Sequence, residues 1–453
     1  MNGLAKTKRI EIDSLSATTK KTPPVAFILL CIYTALAYLR LHEYSLSTVN
    51  LPILPAILVL TTMCWLIVER KDFKAPQFLL IIALLFLVSL SHLGATRYLG
   101  GTVQVFANFA TIALLFIIVA TTVNTPQRMG VFLSVLACCL FVIAIHCIDQ
   151  AQSGVGWTGA LLSQGTRITY IGFLNDPNDL ALSFLVVIPV VGGWIFLRRG
   201  LFAKLFGILF LCTYLYGVYL SNSRGAVLAL GFILFLLSFI RFRSLKALLI
   251  LPVFAVIFYF VAPSRVAEID AKEESASDRI EAWYSGYQMI KSSPVFGVGQ
   301  NNFQEHHQLT AHNTFVQAMA ELGLFGHFVW LSLLSLSVIM LTRSIRADRK
   351  LSISAKAATN ILGFKEAIRY TYILTYSLAG FLAASMFLSR AYVLTLYILI
   401  ALIMANFSML KQSYPALEMP SLRKLWPRLI FIHISLIIGM WMLIKVLLIL
   451  ATV

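Results

Sequence analysis

The residues with the clearest chemical potential in this sequence are polar ones that directly precede long apolar stretches. His312 and Asn313 stand before one such stretch. Ser223 and Arg224 stand before a second, and the run Asn175–Asp179 stands before a third. Ser, Asn and Asp are typical helix N-caps, and the free N–H groups of a helix start attract anions. The three junctions therefore indicate a phosphate or diphosphate site, although capping alone also accounts for them.

Arg224 adds a cation at one of these helix starts. A guanidinium group matches the oxygens of a phosphate, which strengthens the case for an anionic ligand. The alternative is an arginine that extends its head group to the membrane interface, as single arginines near span ends commonly do.

His312 is the candidate proton acceptor of this set. Histidine has an unperturbed pKa of about 6.5, and His312 stands at a polar helix start, so it is suited to act as a general base. The alternative is an ordinary histidine at the membrane interface. His306 and His307 lie nearby beside Glu305. Their spacing matches no metal-binding motif, so we predict no metal site.

The segment of residues 262–313 contains an amphipathic stretch from about Arg279 to Ile290, which Ser277 can cap. Trp283 belongs to its apolar and aromatic side, and Trp and Tyr suit a helix that lies along a membrane surface. Arg279 would project from the start of this helix, either as a phosphate ligand or as the partner of a neighbouring carboxylate.

These segments are embedded in a strongly apolar chain. Of its 453 residues, 59% are hydrophobic and only 12% are charged, which excludes a soluble cytosolic enzyme, a disordered protein and a secreted disulfide scaffold. Apolar runs of about 20 residues cross a bilayer as helices, because every backbone group there needs a partner within its own segment. We predict an all-α integral membrane protein, a polytopic bundle of about 12–13 transmembrane helices with a partly helical long outer loop.

The net charge of +17 follows the expected membrane topology. Several lysines and arginines precede the first apolar stretch and no small-residue cleavage site follows it, which predicts an uncleaved signal anchor with its N-terminus inside. When the stretches alternate sides, most basic residues fall in inner loops, as the positive-inside rule requires. A nucleic-acid partner would need them on one binding face, so none is expected. All six cysteines fall in predicted spans, away from any metal-type spacing.

The loops divide the chain into four predicted parts. These are an inner N-terminal tail over residues 1–24, about nine transmembrane helices over residues 25–261 with a loop at 149–179, the long outer loop over 262–313, and C-terminal transmembrane helices over 314–453. Long ordered loops are more often functional than short ones, so we expect the site on the outer side.

Several of these stretches, taken in order, resemble a known family. They are SNSRGA, DRIEAWYSGYQMIKSSPVFGVGQNNF and HNTFVQAMAELGLFG, preceded by NDPNDLA. Their order and spacing resemble those of the O-antigen ligase and polymerase family of bacterial inner-membrane glycosyltransferases. The resemblance covers roughly residues 166–326, and the ordered set is more specific than any single motif.

The resemblance implies a transferase that moves a glycan from an undecaprenyl diphosphate donor to an acceptor sugar hydroxyl. The reaction would take place on the periplasmic face of the inner membrane, without a metal or other cofactor and with inversion. An O-antigen ligase would use lipid A–core as the acceptor, whereas an O-antigen or exopolysaccharide polymerase would extend another glycan by the same chemistry. Membrane lipids are further expected partners.

A polysaccharide transporter or flippase is the alternative of a different class. It would need ionisable groups near mid-membrane and an internal repeat. The sequence offers one such charge, Lys445, and no obvious inverted repeat.

The resemblance also implies roles for individual residues. The essential histidine of the family falls on His312, and its two important arginines fall on Arg224 and Arg279, with Arg265 as a competitor for the second. His312 would take the proton of the acceptor hydroxyl while the arginines hold the departing diphosphate. Supporting positions are Asn313, Asn178, Asp176, Glu321 and Trp283. Glu321 lies about 13 Å from His312 along a helix, so a packing role is expected for it.

Overall fold

The computed structural model describes residues 24–45, 47–69, 71–197, 200–242, 274–353 and 362–452. Over these residues it contains fourteen α-helices and two short 3-10 helices, and no strand. The predicted all-α polytopic bundle is therefore confirmed. Three predicted features lie outside the described residues, wholly or in part. They are the N-terminal tail up to residue 23, the transmembrane region after residue 242, and the first part of the long outer loop, which contains Arg265.

The helices fall into two groups along the chain. The first group is α1 (Val25–Leu39), α2 (Ile53–Val68), α3 (Gln77–Thr96), α4 (Leu99–Thr122), α5 (Pro126–Ser153), α6 (Pro177–Leu197), α7 (Leu201–Ser221) and α8 (Arg224–Phe242). The second group is α9 (Glu274–Ser292), α10 (Phe303–His306), α11 (Thr314–Ile353), α12 (Leu362–Ser385), α13 (Leu394–Ser413) and α14 (Leu422–Thr452).

Eight of the described helices are long and apolar enough to cross a membrane, namely α3 to α7, α11, α13 and α14. Helices α1, α2 and α8 are apolar but shorter. The chain is thus a multi-pass membrane protein. Helix α13 lies at the centre of the bundle, since 83% of its apolar window is buried, whereas α14 lies at the rim with 17%. A helix that is apolar all round, such as α13, suits such an enclosed position.

Two boundaries differ from the sequence-based expectation. The loop predicted at residues 149–179 is shorter, because α5 continues to Ser153 and α6 already begins at Pro177. The amphipathic helix begins at Glu274, so Ser277 lies inside it and is not its cap. The segment upstream of Ser277 contains Glu and Ala, which are good helix formers and extend the helix.

The amphipathic helix α9 packs its apolar side against other helices. Trp283 and Met289 form a buried cluster with Val316 of α11 and Ile444 of α14. The sequence pattern predicted an aromatic face against the membrane surface, but α11 and α14 cover much of that face. Lys445, the predicted mid-span charge, has its Nζ 5.6 Å from the centre of the Tyr284 ring on α9.

The loop that follows α9 docks onto a break in α11. The break is at Gly323, whose φ of 65° and ψ of −168° are not helical. It interrupts the helical hydrogen bonds of the preceding turn. The N–H groups of Val298 and Gly299 in the loop donate instead to the carbonyls of Ala320 and Glu321, at 2.9 and 3.0 Å. The freed carbonyls of α11 therefore hold the loop in place.

Glycine is required at this contact because two backbones meet there. A Cβ atom on Gly323 would lie 2.5 Å from the carbonyl oxygen of Val295 and 2.6 Å from the nitrogen of Gly297. The conformation of Gly323 is also one that only glycine adopts readily. Gly297 has a positive φ of 70°, and a Cβ there would lie 2.5 Å from the carbonyl oxygen of Ala320.

We expect Gly323→Ala to destabilise the protein by roughly 2–4 kcal/mol, because it adds backbone strain and a steric overlap. The measurement is the thermal unfolding midpoint in detergent, which should fall by several degrees. The matched control is Gly439→Ala in α14, where an added Cβ meets nothing within 4 Å. Equal midpoints for the two variants would contradict the proposed docking contact.

Candidate functional site

A polar cavity of about 600 Å³ lies between the starts of α6 and α8, helix α9 and the end of α12. Three arginines, two aspartates and one histidine line it, namely Arg167, Arg224, Arg279, Asp176, Asp278 and His312. The cavity therefore collects charged groups from five separate segments of the chain. A volume of this size is typical of small-ligand sites.

Most of the sequence-predicted site residues meet in this cavity. His312, Arg224, Arg279, Asp176, Asn178 and Trp283 all line it. Asn313 is directly behind His312 in the chain and is fully buried. Glu321 does not line the cavity, and Arg265 lies outside the described residues.

The start of α6 is fixed by a cap and by an arginine. The Oδ1 atom of Asp176 accepts a hydrogen bond from the N–H of Asn178 at 2.7 Å. The Oδ1 atom of Asn178 accepts one from Nη2 of Arg167 at 3.0 Å, and Nε of Arg167 donates to the carbonyl of Ser221 at 2.9 Å. Arg167 thus ties the start of α6 to the end of α7. This role of Arg167 was not identified from the sequence.

The start of α8 brings Arg224 to the cavity. Helix α7 ends at Ser221, and Asn222 takes a left-handed conformation with a φ of 52°, which asparagine tolerates better than most residues. Ser223 then caps α8, with its Oγ accepting from the N–H of Ala226 at 3.3 Å. Arg224 is the first residue of the helix. The tight turn places this arginine at the positive end of α8.

His312 lies at the start of α11 in an uncommon backbone conformation. Its φ is 45°, a left-handed value that costs energy for a residue with a Cβ. Asn313 follows as the cap of α11, and its Oδ1 accepts from the N–H groups of Phe315 and Val316 at 2.9 and 3.1 Å. Strained residues held by their surroundings are enriched at functional sites. Here the cap of α11 holds the strained histidine at the cavity wall.

The electrostatic surroundings favour a neutral His312. Burial is the main cause that lowers the pKa of His312 below its ordinary value, and the guanidinium groups of Arg279 and Arg390 lower it further. The carboxylates of Asp176 and Asp278 oppose this shift. With a pKa below about 6.5, the imidazole is neutral at pH 7 and can accept a proton.

Helix α9 presents one face to the cavity. Arg279, Ile280 and Trp283 all line it, and a spacing of one helical turn places the first and last on the same side. Trp283 is 8% exposed and joins the buried cluster between α9, α11 and α14. The packing of α9 therefore fixes the position of Arg279 relative to the cavity.

Glu321 is a buried carboxylate on the side of α11 that faces the docked loop. It is 1% exposed and lies against the hydroxyl of Tyr392 and the backbone N–H groups of Asn301 and Phe303. Nε2 of Gln317 is 3.4 Å from Oε2 of Glu321. These contacts suit a carboxylate that binds the loop to α11, and they place it away from the polar cavity.

Two further charged residues lie next to the cavity and were not identified from the sequence. The guanidinium of Arg390, in the loop between α12 and α13, contacts both carboxylate oxygens of Asp179 in the first turn of α6. In the sequence, Asp179 stands out only as the last residue of the capping run Asn175–Asp179. An arginine isolated between two apolar stretches requires a partner, so the position of Arg390 in the sequence could have indicated a buried ion pair.

A second cavity of about 790 Å³ lies at the opposite end of the bundle, between the start of α5, the end of α6 and the start of α12. Its charged lining residues are Glu366 and Arg369, and most of its wall is apolar. Within the described ranges, no group of three or more His, Cys, Asp or Glu residues could hold a metal ion. Three arginines line the first cavity and one lines the second, so the first cavity is better suited to bind an anion.

The comparison with known families supports the relationship seen in the sequence motifs. A family model described as O-antigen ligase matches residues 208–331, which contain Arg224, Arg279, His312 and Gly323. A comparison with curated proteins gives no match. Arg167 and the start of α6 lie upstream of the matched segment. Residues 208–331 are therefore similar to the O-antigen ligase family, which supports a transferase of lipid-linked glycans.

Proposed function

We propose that the chain transfers a glycan from an undecaprenyl diphosphate donor to a sugar hydroxyl of an acceptor, in the polar cavity. The observation that carries this proposal is the meeting of His312, Arg224 and Arg279 around one cavity, although they are far apart in the sequence. A proton acceptor beside two phosphate-binding groups suits a reaction in which an alcohol displaces a diphosphate.

The proposed reaction is a direct displacement. A ring nitrogen of His312 accepts the proton of the acceptor hydroxyl, whose oxygen forms a bond to the anomeric carbon of the donor glycan. The bond between that carbon and the diphosphate oxygen breaks, and the electron pair leaves with the diphosphate. Arg224, Arg279 and the start of α8 supply the positive charge that stabilises the leaving group. Attack opposite the leaving group inverts the anomeric centre.

The rest of the cavity wall suits the lipid part of such a donor. Its apolar lining residues include Ile280 of α9, Phe387 in the segment that follows α12, and Leu447 of α14. A diphosphate at the arginines would therefore have an apolar surface beside it for the start of a polyprenyl chain. We propose the orientation in which this end of the bundle faces the periplasm, in keeping with the positive-inside distribution.

We propose lipid A–core as the acceptor, which would make the protein a ligase. The polymerase alternative uses the same residues and differs in the acceptor alone.

The function is tested with purified protein in proteoliposomes that contain a defined undecaprenyl diphosphate glycan. Wild type should release undecaprenyl diphosphate when lipid A–core is added, and His312→Ala should reduce this rate by about 10²–10⁴-fold, because the general base is lost. Release that requires a second glycan donor, with longer chains as the product, would identify a polymerase. Movement of the donor across the bilayer without release would contradict transferase activity and support a flippase.

The two arginines are tested as ligands of the diphosphate. Arg224→Ala and Arg279→Ala should each lower kcat/KM for the donor by about 10²–10³-fold, since each removes one stabilising cation from the leaving group. The matched control is Arg97→Ala, because Arg97 is exposed at the end of α3 and does not line the cavity. Size-exclusion profiles should stay monodisperse. Loss of activity accompanied by aggregation, or equal losses in all three variants, would contradict the assignment.

The orientation is tested with a charged maleimide that does not cross the membrane. Arg279→Cys should react from the outer side of intact cells and Arg346→Cys should not, because the two positions are expected on opposite sides. The six native cysteines lie in helices of the bundle, which reduces their reaction with a charged reagent. Reaction at position 346 alone would reverse the proposed topology.

A further inference from the structure

We propose that the ion pair of Asp179 and Arg390 is a positioning element of this site, which fixes the start of α11 against α6 and balances positive charge beside His312. The inference rests on the proposed function only where it treats His312 as the proton acceptor. Neither residue lines the cavity, so both act through His312 and its surroundings.

The ion pair is well enclosed. Asp179 is only 3% exposed, and Nε and Nη2 of Arg390 each donate a hydrogen bond to one of its carboxylate oxygens. Nη1 of Arg390 donates to the carbonyl of Ser389 at 2.9 Å. A two-point contact of this kind fixes direction as well as distance. The loop between α12 and α13 is thereby held against the first turn of α6.

The same loop is bound to the start of α11. The N–H of Arg390 donates to Oγ1 of Thr314 at 3.0 Å, and this hydroxyl donates to the carbonyl of Leu388 at 2.6 Å. Thr314 is the first residue of α11 and stands two positions after His312. The backbone that carries His312 is therefore linked through Thr314 and Arg390 to Asp179.

A second set of bonds prevents the loop from sliding along α11. The N–H of Ala391 donates to Oε1 of Gln317 at 3.1 Å, and the carbonyl of Ala391 accepts from Nε1 of Trp330 at 3.1 Å. The hydroxyl of Tyr397 donates to the same carbonyl at 3.0 Å. With these bonds in place, the contact between Arg390 and Asp179 sets the position of α6 relative to α11. Both helix starts border the cavity.

The pair also affects the charge around His312. Among the described residues, a set of charged groups lines the cavity or acts on His312, and Asp179 is the partner of one of them. The set is Asp176, Asp278, Arg167, Arg224, Arg279 and Arg390. Positive groups are in excess, and Arg390 is one of the two whose charge lowers the pKa of His312. Asp179 neutralises Arg390 and so limits this effect.

The two partners should therefore shift the pKa of His312 in opposite directions. Arg390→Gln removes a positive charge, so the pKa of His312 should rise. Asp179→Asn leaves the positive charge of Arg390 without its negative partner, so the pKa of His312 should fall. A loss of packing alone gives no reason for shifts of opposite sign. Arg390→Lys keeps the charge but loses the two-point contact, so the pKa should stay near the wild-type value while turnover falls about tenfold or more.

The pKa is measured at His312 itself, without reference to activity. Diethyl pyrocarbonate modifies neutral imidazole, and peptide mass spectrometry of the intact purified protein gives the modification rate of His312 at each pH. The midpoint should rise by roughly half a unit in Arg390→Gln and fall by a similar amount in Asp179→Asn. Unchanged midpoints, or shifts of the same sign, would overturn the electrostatic part of the proposal.

The control is Asp149→Asn, which removes an exposed carboxylate that bonds Nε1 of Trp157 at 2.7 Å and lies outside the cavity. In this variant the pH midpoint of His312 modification and the turnover should both match wild type. Full turnover in Arg390→Lys would overturn the proposed positioning role of the ion pair. Because this variant keeps the positive charge, it still tests that role when Arg390→Gln and Asp179→Asn fold poorly. Opposite midpoint shifts in a protein without glycan transfer would support the ion pair's role and contradict the proposed function.

Discussion

The site depends on the broken turn of α11 at Gly323. In a continuous helix the carbonyls of Ala320 and Glu321 would be used within the helix. The break frees them to bind the N–H groups of the loop after α9, and so holds α9 against α11. Arg279 belongs to α9 and His312 precedes α11. The distance between the proposed proton acceptor and one of the proposed diphosphate ligands is thus set by a backbone contact that only glycine permits.

A second constraint is the cost of placing several cations close together in an enclosed space. The cavity contains Arg167, Arg224 and Arg279, and each would repel the others without compensation. Compensation comes partly from acceptors already in the protein, since Arg167 donates to Asn178 and to a helix carbonyl. Arg390 stands apart because Asp179 neutralises it directly. The charged groups that line the cavity are then Arg167, Arg224 and Arg279 against Asp176 and Asp278, which leaves a positive excess for the proposed diphosphate.

The sequence predicted the features that depend on local chemistry. Caps at Asp176, Ser223 and Asn313 follow from residue type at the edge of an apolar stretch. In the structure the side-chain oxygens of all three accept hydrogen bonds from backbone N–H groups. Contacts between distant segments were not predictable, because they depend on how the helices pack. The pairing of Asp179 with Arg390 joins positions 211 residues apart. The partner of the apolar side of α9 was unpredictable for the same reason, since an amphipathic pattern does not tell whether lipid or another helix covers that side.

The charge balance around His312 also suits the order of events in the proposed reaction. Burial and the neighbouring arginines keep the imidazole neutral before reaction, which a proton acceptor requires. The same arginines would disfavour the imidazolium that forms when the acceptor proton is taken up. In the proposed reaction the departing diphosphate would gain negative charge in that same step, and this charge would offset the cost of the imidazolium. Proton transfer to His312 and cleavage of the bond to the diphosphate would then stabilise each other electrostatically.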